Sequence, residues 1–346
     1  MTEIEVKASL RYKVHIGMGL LPETGRLLTR EIAPCRAVLV SDTSVFPLYG
    51  KALVRSLTAA GFAVTEFVFP AGETSKTLAS FSAALDAFAA AGLTRSDIAV
   101  ALGGGVVGDL AGFAAACYQR GIRFVQVPTT LLAAVDASVG GKTGVNLPSG
   151  KNQAGAFHQP SLVVCDTDTF RTLDETNFAC GCAEAVKCGI LASPELFGIF
   201  EKGDVRAHIE EIVAACVRIK AEYVAEDEFD TGARRFLNLG HTFGHAVEKC
   251  SAYTVPHGFA VSIGTALIAD ASVKSGYLAP KTAARIKAAL RKNGLPVKCP
   301  YAPASLAACA ASDKKSSGEN ISVVLIRDIG NCFLQTMRRT ELETLL

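Results

Sequence analysis

The chain has 346 residues, of which 49% are hydrophobic and 20% charged, with a formal net charge of +2. That length exceeds one ordinary core and suits two domains. The near-neutral balance supplies no general field for nucleic acid or an anionic membrane, so any anion must be met by a local cluster of basic residues.

The opening "MTEIEVKASLRYKVHIG" lacks the apolar core of a signal peptide, and no stretch reaches the roughly 18 uninterrupted apolar residues of a membrane span. The 11 cysteines are odd in number, scattered, and contain no C-x-x-C pair. Reduced, mostly buried thiols in a cytoplasmic protein are the expectation. Strand-like runs follow at 37–40 (AVLV), 63–69 (AVTEFVF), 98–102 (IAVAL), 122–127 (IRFVQV) and 162–166 (LVVCD). Amphipathic stretches such as Lys76 to Gly92 separate them, which predicts βα alternation around a mostly parallel sheet. From about Asp174 helical periods take over, with a late strand-like run at 321–326 (ISVVLI). The expected fold class is a Rossmann-like α/β domain over 1–168 followed by a mainly α-helical domain over 169–346. No flexible linker joins them, and a ligand site is expected in the cleft between them.

Four groups of residues carry chemistry. The run "GGGVVGD" places Gly103, Gly105 and Gly108 in G-x-G-x-x-G spacing, between the strand 98–102 and a helical segment. Glycines there admit a pyrophosphate, and a helix N-terminus offers N–H groups and partial positive charge. A turn serving only close helix packing is the plainer alternative. Asp42, ending its strand, suits either ribose hydroxyls or a helix N-cap, and Glu73 and Lys76 follow the next strand. Next, Pro128 to Asn146 and the "GKN" at 150–152 set Thr129 and Thr130 at a strand-to-helix change, and Lys142 and Lys151 around a Gly-rich loop. Such a loop can cradle phosphate, or be a solvated turn. Glu184, His241, His245 and His257 form a potential metal constellation, and three of the six histidines fall within 17 residues. His241 and His245, four apart, share a helical face and read first as two ligands of one Zn²⁺. Last, Lys220, Arg234 and Asn238 precede His241, and Asn238 joins its helical face if the helix starts early.

These segments, in this order and near this spacing, resemble the 3-dehydroquinate synthase family, from about Asp42 to Gly276 with a weaker tail at "SDKKSSGENISVVLIRDIG". The resemblance implies conversion of 3-deoxy-D-arabino-heptulosonate 7-phosphate to 3-dehydroquinate and phosphate, a step of the shikimate pathway in aromatic amino acid biosynthesis. Transient oxidation by NAD, β-elimination, re-reduction and aldol closure would achieve it, with no net redox change. Glu184, His241 and His257 would hold Zn²⁺ or Co²⁺. His245 would instead face the substrate, which corrects the plain reading of the histidine pair. Lys142, Asn152, His245 and Lys314 or Lys315 would surround the phosphate, with Arg120 joining from the second subunit of a homodimer. Lys220, Arg234 and Asn238 would meet carboxylate and hydroxyls. NAD would fall to Asp42, Gly72, Glu73, Lys76, Gly104, Gly105, Val106, Val107, Gly108, Asp109, Thr129, Thr130, Asp136, Lys142, Lys151, Thr169, Phe170 and Thr172. The sequence departs from the family pattern at Asp174, Ala137 and Asp230, where Pro, Ser and Glu are common. Related cyclases that make an aminated dehydroquinate, an inosose or a valiolone are the nearest alternatives. A metal-dependent polyol dehydrogenase, which would show net NADH, comes after them.

Overall fold

The computed structural model describes residues 1–311 and 319–346. The chain divides into two compact units, Met1–Leu173 with Lys220–Glu228, and Asp174–Ile219 with Phe229–Leu346. The expected boundary after residue 168 therefore falls five residues later. The turn Thr167–Thr172 belongs with the first unit because the Tyr49 hydroxyl donates to the Thr169 carbonyl at 3.0 Å and pairs with Thr172 Oγ1 at 2.6 Å. Asp174 then opens the next helix, its Oδ1 accepting from Asn177 N at 2.7 Å.

The first unit is built on a seven-stranded sheet. Its strands are β1 (Thr2–Val6), β2 (Tyr12–Gly17), β3 (Arg36–Asp42), β4 (Ala63–Phe69), β5 (Ile98–Gly103), β6 (Arg123–Pro128) and, after a hairpin of β7 (Lys142–Leu147) and β8 (Gly150–Phe157), β9 (Leu162–Asp166). The order is β1-β2-β9-β6-β5-β3-β4; only β1–β2 is antiparallel. Strict alternation divides the apolar side chains between two cores. Leu39, Val100 and Leu102 pack with Leu53 and Leu57 on one face. Val38, Val40, Ala99 and Ala101 pack with Phe88, Leu110 and Ala114 on the other. Strands buried on both faces explain why the sequence showed short continuous apolar runs there. The strand order turns back between β3 and β5, so their carboxyl ends form the switch point at which doubly wound sheets bind ligands. Asp42 and the Gly103–Gly105 turn sit at those two ends.

The second unit is mainly helical, with helices Glu175–Ala192, Pro194–Lys202, His241–Cys250, His257–Lys274, Pro280–Lys292 and Pro303–Ala311. The expected strand at 321–326 is β10 (Asn320–Asp328), paired antiparallel with β11 (Asn331–Arg338). No helix among the described residues is long and apolar enough to cross a membrane. None of the eleven cysteines is in a disulfide.

Candidate functional site

In the first unit, Gly104 to Asp109 follow β5, with Thr129 and Lys76 bonded beside them. Helix Gly105–Cys117 starts directly after Gly104. The glycines divide their work. A Cβ on Gly103 would lie 2.5 Å from Val107 Cγ2, and one on Gly108 would lie 2.5 Å from Gln126 Oε1. These two serve packing of helix on sheet. At Gly105 the nearest atom to an added Cβ is Ala137 Cβ at 3.4 Å, an ordinary contact. Beside the turn, Thr129 N donates to the Gly103 carbonyl at 3.0 Å. Thr129 is buried, and its hydroxyl finds no hydrogen-bond partner among the described residues. A buried orphan hydroxyl at a helix N-terminus fits a ligand that brings its own polar atoms.

Lys76, only 4% exposed, donates through Nζ to Asp109 Oδ2 and Asn152 Oδ1, each at 2.5 Å. Asn146, which sequence reasoning left without a role, ties this arrangement together. Its side chain donates to Glu73 Oε1 at 2.7 Å and accepts from Asn152 N at 2.9 Å, and its backbone N donates to the Lys76 carbonyl at 2.8 Å. Asn152 has φ 54° and so holds a left-handed turn that an Asn tolerates. Through these bonds it stands beside Lys76 and Asn146. The Gly-rich loop that carries it is a β7–β8 hairpin, not an open cradle. Gly144 and Gly155 face each other across the strands so closely that a Cβ on Gly155 would fall 2.1 Å from the Thr143 carbonyl oxygen. Lys142 is exposed at the start of β7, and Lys151 is half-buried.

The other residues named for the first unit make the following contacts. Asp42 Oδ1 accepts from Ser44 N at 2.8 Å, Ser44 Oγ at 2.6 Å and Val45 N at 2.9 Å, so its bonds support the capping alternative. Lys220 Nζ donates to both the carbonyl and Oδ1 of Asp136 at 2.6 Å. The two residues, expected to serve different ligands, are partners. Thr130 Oγ1 accepts from Ala133 N at 3.1 Å and caps the turn that follows β6. Phe170 is buried, and Thr169 Oγ1 donates to the Asp166 carbonyl at 2.7 Å. Gly72 takes φ 104° ahead of the turn Glu73–Ser75. Arg120 is exposed, with φ 67° directly after Gln119 at φ 52°; two successive non-glycine residues in that region mark a strained turn.

In the second unit, Glu184, His241 and His257 converge. One ligand atom from each lies within 4.8 Å of the others. His241 Nε2 is 3.5 Å and His257 Nε2 is 3.2 Å from Glu184 Oε1. Tetrahedral ligands about 2.0–2.2 Å from one ion sit roughly 3.3 Å apart, so this spacing suits a small divalent cation. Glu184 is fully buried. Lys187, which the sequence reading missed, brings Nζ to 2.6 Å of Oε2, yet neither carboxylate oxygen accepts an aligned hydrogen bond among the described residues. A buried carboxylate in that condition calls for a cation. Burial opposes its ionisation, but Lys187 and His241 hold its carboxyl well below the usual range. Burial pushes His241 down to about 4 against the pull of Glu184, which keeps its imidazole neutral and able to ligate.

Glycines bring the three helices close enough for this. A Cβ on Gly264 would fall 1.9 Å from the Gly240 carbonyl oxygen and 2.7 Å from Gly244 N. One on Gly258, beside His257, would fall 2.3 Å from Cys180 Cα, a turn before Glu184. Gly240 itself takes φ 76° and breaks the chain direction before His241. Asn238 therefore ends the separate turn Ala233–Asn238 and does not share the His241 helix face. His245 does, with its ring 5.3 Å from that of His241 and 6.2 Å from that of His257. Arg234 is almost wholly buried in the same turn as Asn238. A second grouping of His245, Glu248 and His257 also has the spacing for a cation. Lys314 and Lys315 lie outside the described residues.

The chain is similar to known proteins over most of its length. The family descriptions 3-dehydroquinate synthase N-terminal and 3-dehydroquinate synthase C-terminal match residues 66–180 and 181–316. A 3-dehydroquinate synthase from Rhizobium johnstonii is 43% identical over 340 residues, covering 93% of this chain and 90% of that protein. One from Geobacter metallireducens is 44% identical over 336 residues, covering 94% and 93%. A solved 2-epi-5-epi-valiolone synthase from Streptomyces hygroscopicus subsp. jinggangensis, with NAD⁺ and Zn²⁺ bound, has a TM-score of 0.89 at 28% identity, covering 99% of this chain and 97% of that one.

Proposed function

The chain belongs to the 3-dehydroquinate synthase family, and from that premise we propose that it converts 3-deoxy-D-arabino-heptulosonate 7-phosphate to 3-dehydroquinate and inorganic phosphate. It acts as a carbon–oxygen lyase in the cytoplasm, in aromatic amino acid biosynthesis. The observation that carries the reading is the convergence of two imidazole Nε2 atoms on the buried Glu184 carboxylate. When bound, NAD supplies a reversible oxidation and Zn²⁺ or Co²⁺ supplies Lewis-acid polarisation of substrate hydroxyls.

The chain's own residues do the rest. Glu184, His241 and His257 hold the cation. The Gly104–Asp109 turn, with Glu73, Lys76, Thr129, Thr130 and Lys151, holds the dinucleotide. His245 moves a proton at the substrate or binds its phosphate. Lys142 and the basic segment at 314–315 hold phosphate close to the acidic C–H, so that the leaving group can take up that proton. Lys220, Arg234 and Asn238 orient carboxylate and hydroxyls. Fixing these groups converts successive steps into intramolecular ones, an effect of about 7–11 kcal/mol at best.

The direct test is phosphate release from the heptulosonate phosphate, with NAD and cation each withheld in turn. Release should require both, with no accumulation of NADH. Steady NADH production would identify a dehydrogenase instead.

The proposed assembly is a homodimer in which Arg120 of the partner subunit reaches the phosphate. Its support is the family resemblance and the strained, exposed turn at Gln119 and Arg120. Arg120→Ala and His241→Ala, each inactive alone, should recover about a quarter of wild-type activity when unfolded and refolded together, since half of randomly paired dimers then carry one complete site. No recovery from confirmed mixed dimers would place Arg120 outside the partner's site.

A further inference from the structure

The two histidines that face Glu184 are anchored in different ways. A neutral imidazole carries one N–H, so a ring offering Nε2 to a cation must donate from Nδ1. His241 Nδ1 lies 3.1 Å from the Leu239 carbonyl oxygen, a fixed backbone acceptor. His257 opens its helix and has its Nδ1 3.4 Å from Glu248 Oε2. Glu248 is buried, with 3% of its surface exposed. It lies two residues before the end of helix His241–Cys250 and seven residues, two helical turns, after His241, so His241, His245 and Glu248 follow one face in the pattern H-x-x-x-H-x-x-E.

We propose that Glu248 is a positioning residue for the cation. It accepts the Nδ1 proton of His257, fixes that ring's tautomer and plane, and so aims Nε2 at the ion shared with Glu184 and His241. This rests on the cation site proposed above. A carboxylate behind a ligating imidazole also raises the basicity of the ring, and losing one weakens metal binding by about 10–100-fold. One helix thereby supplies a ligand, a substrate-facing imidazole and the support for a ligand on the following helix.

The neighbouring grouping of His245, Glu248 and His257 is the rival, with Glu248 as a ligand itself. Burial of both Glu184 oxygens without an aligned hydrogen bond favours the ion on Glu184.

The experiment uses Co²⁺ alone as probe on the full chain, with affinity read by chelator competition and geometry by the visible absorption of the bound ion. Wild type should bind one Co²⁺, and Glu184→Gln should bind it far more weakly. If wild type binds none, the cation site itself is wrong. Glu248→Gln should weaken binding about 10–100-fold and alter the visible bands, while one equivalent still binds at saturation. Unchanged affinity and bands in Glu248→Gln, beside a wild type that binds, would overturn the positioning role and leave the site standing. Loss of Co²⁺ from both Glu248→Gln and His245→Ala, with Glu184→Gln unaffected, would move the ion to the rival grouping. Nitrogen NMR of wild type loaded with Zn²⁺ needs no variant: His257 should ligate through Nε2 and keep a hydrogen-bonded proton on Nδ1. Ligation through Nδ1 would overturn the proposal.

Discussion

Replacing His241 with alanine should remove turnover and bound cation together. Several kcal/mol of charge stabilisation leave with the ion, and each 1.36 kcal/mol is tenfold in rate, so kcat should fall by more than about a thousandfold. His241 is buried, its ring anchored by the Leu239 carbonyl and aimed at Glu184, and water cannot readily take its place in that geometry. His245→Ala is the paired control. Its ring stands beside the other two, 5.3 Å from that of His241 and 6.2 Å from that of His257. Turnover should fall by about 10²–10⁴, the range of a positioned acid or base, while one cation per chain remains. Metal analysis of both purified variants decides the matter. A His245→Ala protein without metal would return that residue to the ligand set.

Gly264→Ala should be severely destabilising and should also disperse the cation ligands. A methyl there meets backbone on the facing helix, at 1.9 Å from the Gly240 carbonyl oxygen, and backbone has no rotamer through which to escape. Helices His241–Cys250 and His257–Lys274 must then move apart, carrying His241 and His257 with them. The expected cost is about 3 kcal/mol or more, at the upper end of overpacking effects. Gly198→Ala is the contrast. That glycine lies inside helix Pro194–Lys202 with nothing within 4 Å of an added Cβ, and alanine there should stabilise by about 0.5–1 kcal/mol. Urea midpoints for both, with Co²⁺ stoichiometry for Gly264→Ala, test the account. A Gly264→Ala protein with an unchanged midpoint and full metal would refute it.

Much of the first unit was legible because its central strands are buried on both faces. Short apolar runs bounded by turn residues marked β3, β5, β6 and β9 almost to the residue, while the largely exposed edge strand β4 was marked by its β-branched and aromatic residues. The antiparallel edge pair β1–β2 was passed over, since its alternating "EIEV" and "YKVHI" were read only for the lack of a signal core. The β7–β8 hairpin was misread because glycine and lysine suggest a loop, whereas Gly144 and Gly155 are there for strands that approach too closely for side chains. In the second unit the residue types Glu, His and His were visible, and so was the pattern of their helices. What sequence could not supply was three-dimensional pairing. Lys187 against Glu184, Lys220 against Asp136, and the glycine contacts among ligand-bearing helices all depend on which backbone segments meet. The break at Gly240 was available as a signal. A glycine just ahead of a histidine pair can mark a helix start, which would have separated Asn238 from their face.

Residues 220–228 carry a consequence for how the protein is made. They belong to the first unit, where Lys220 binds Asp136 and Glu228 accepts from Ser9 N at 2.8 Å, Ser9 Oγ at 2.7 Å and Gln159 Nε2 at 2.9 Å. On a ribosome the sheet is complete when Asp166 emerges, yet these polar partners arrive more than fifty residues later, after helices of the other unit have been synthesised. The nascent sheet must wait for them, and no single cut in the gene yields either half with its bonding intact.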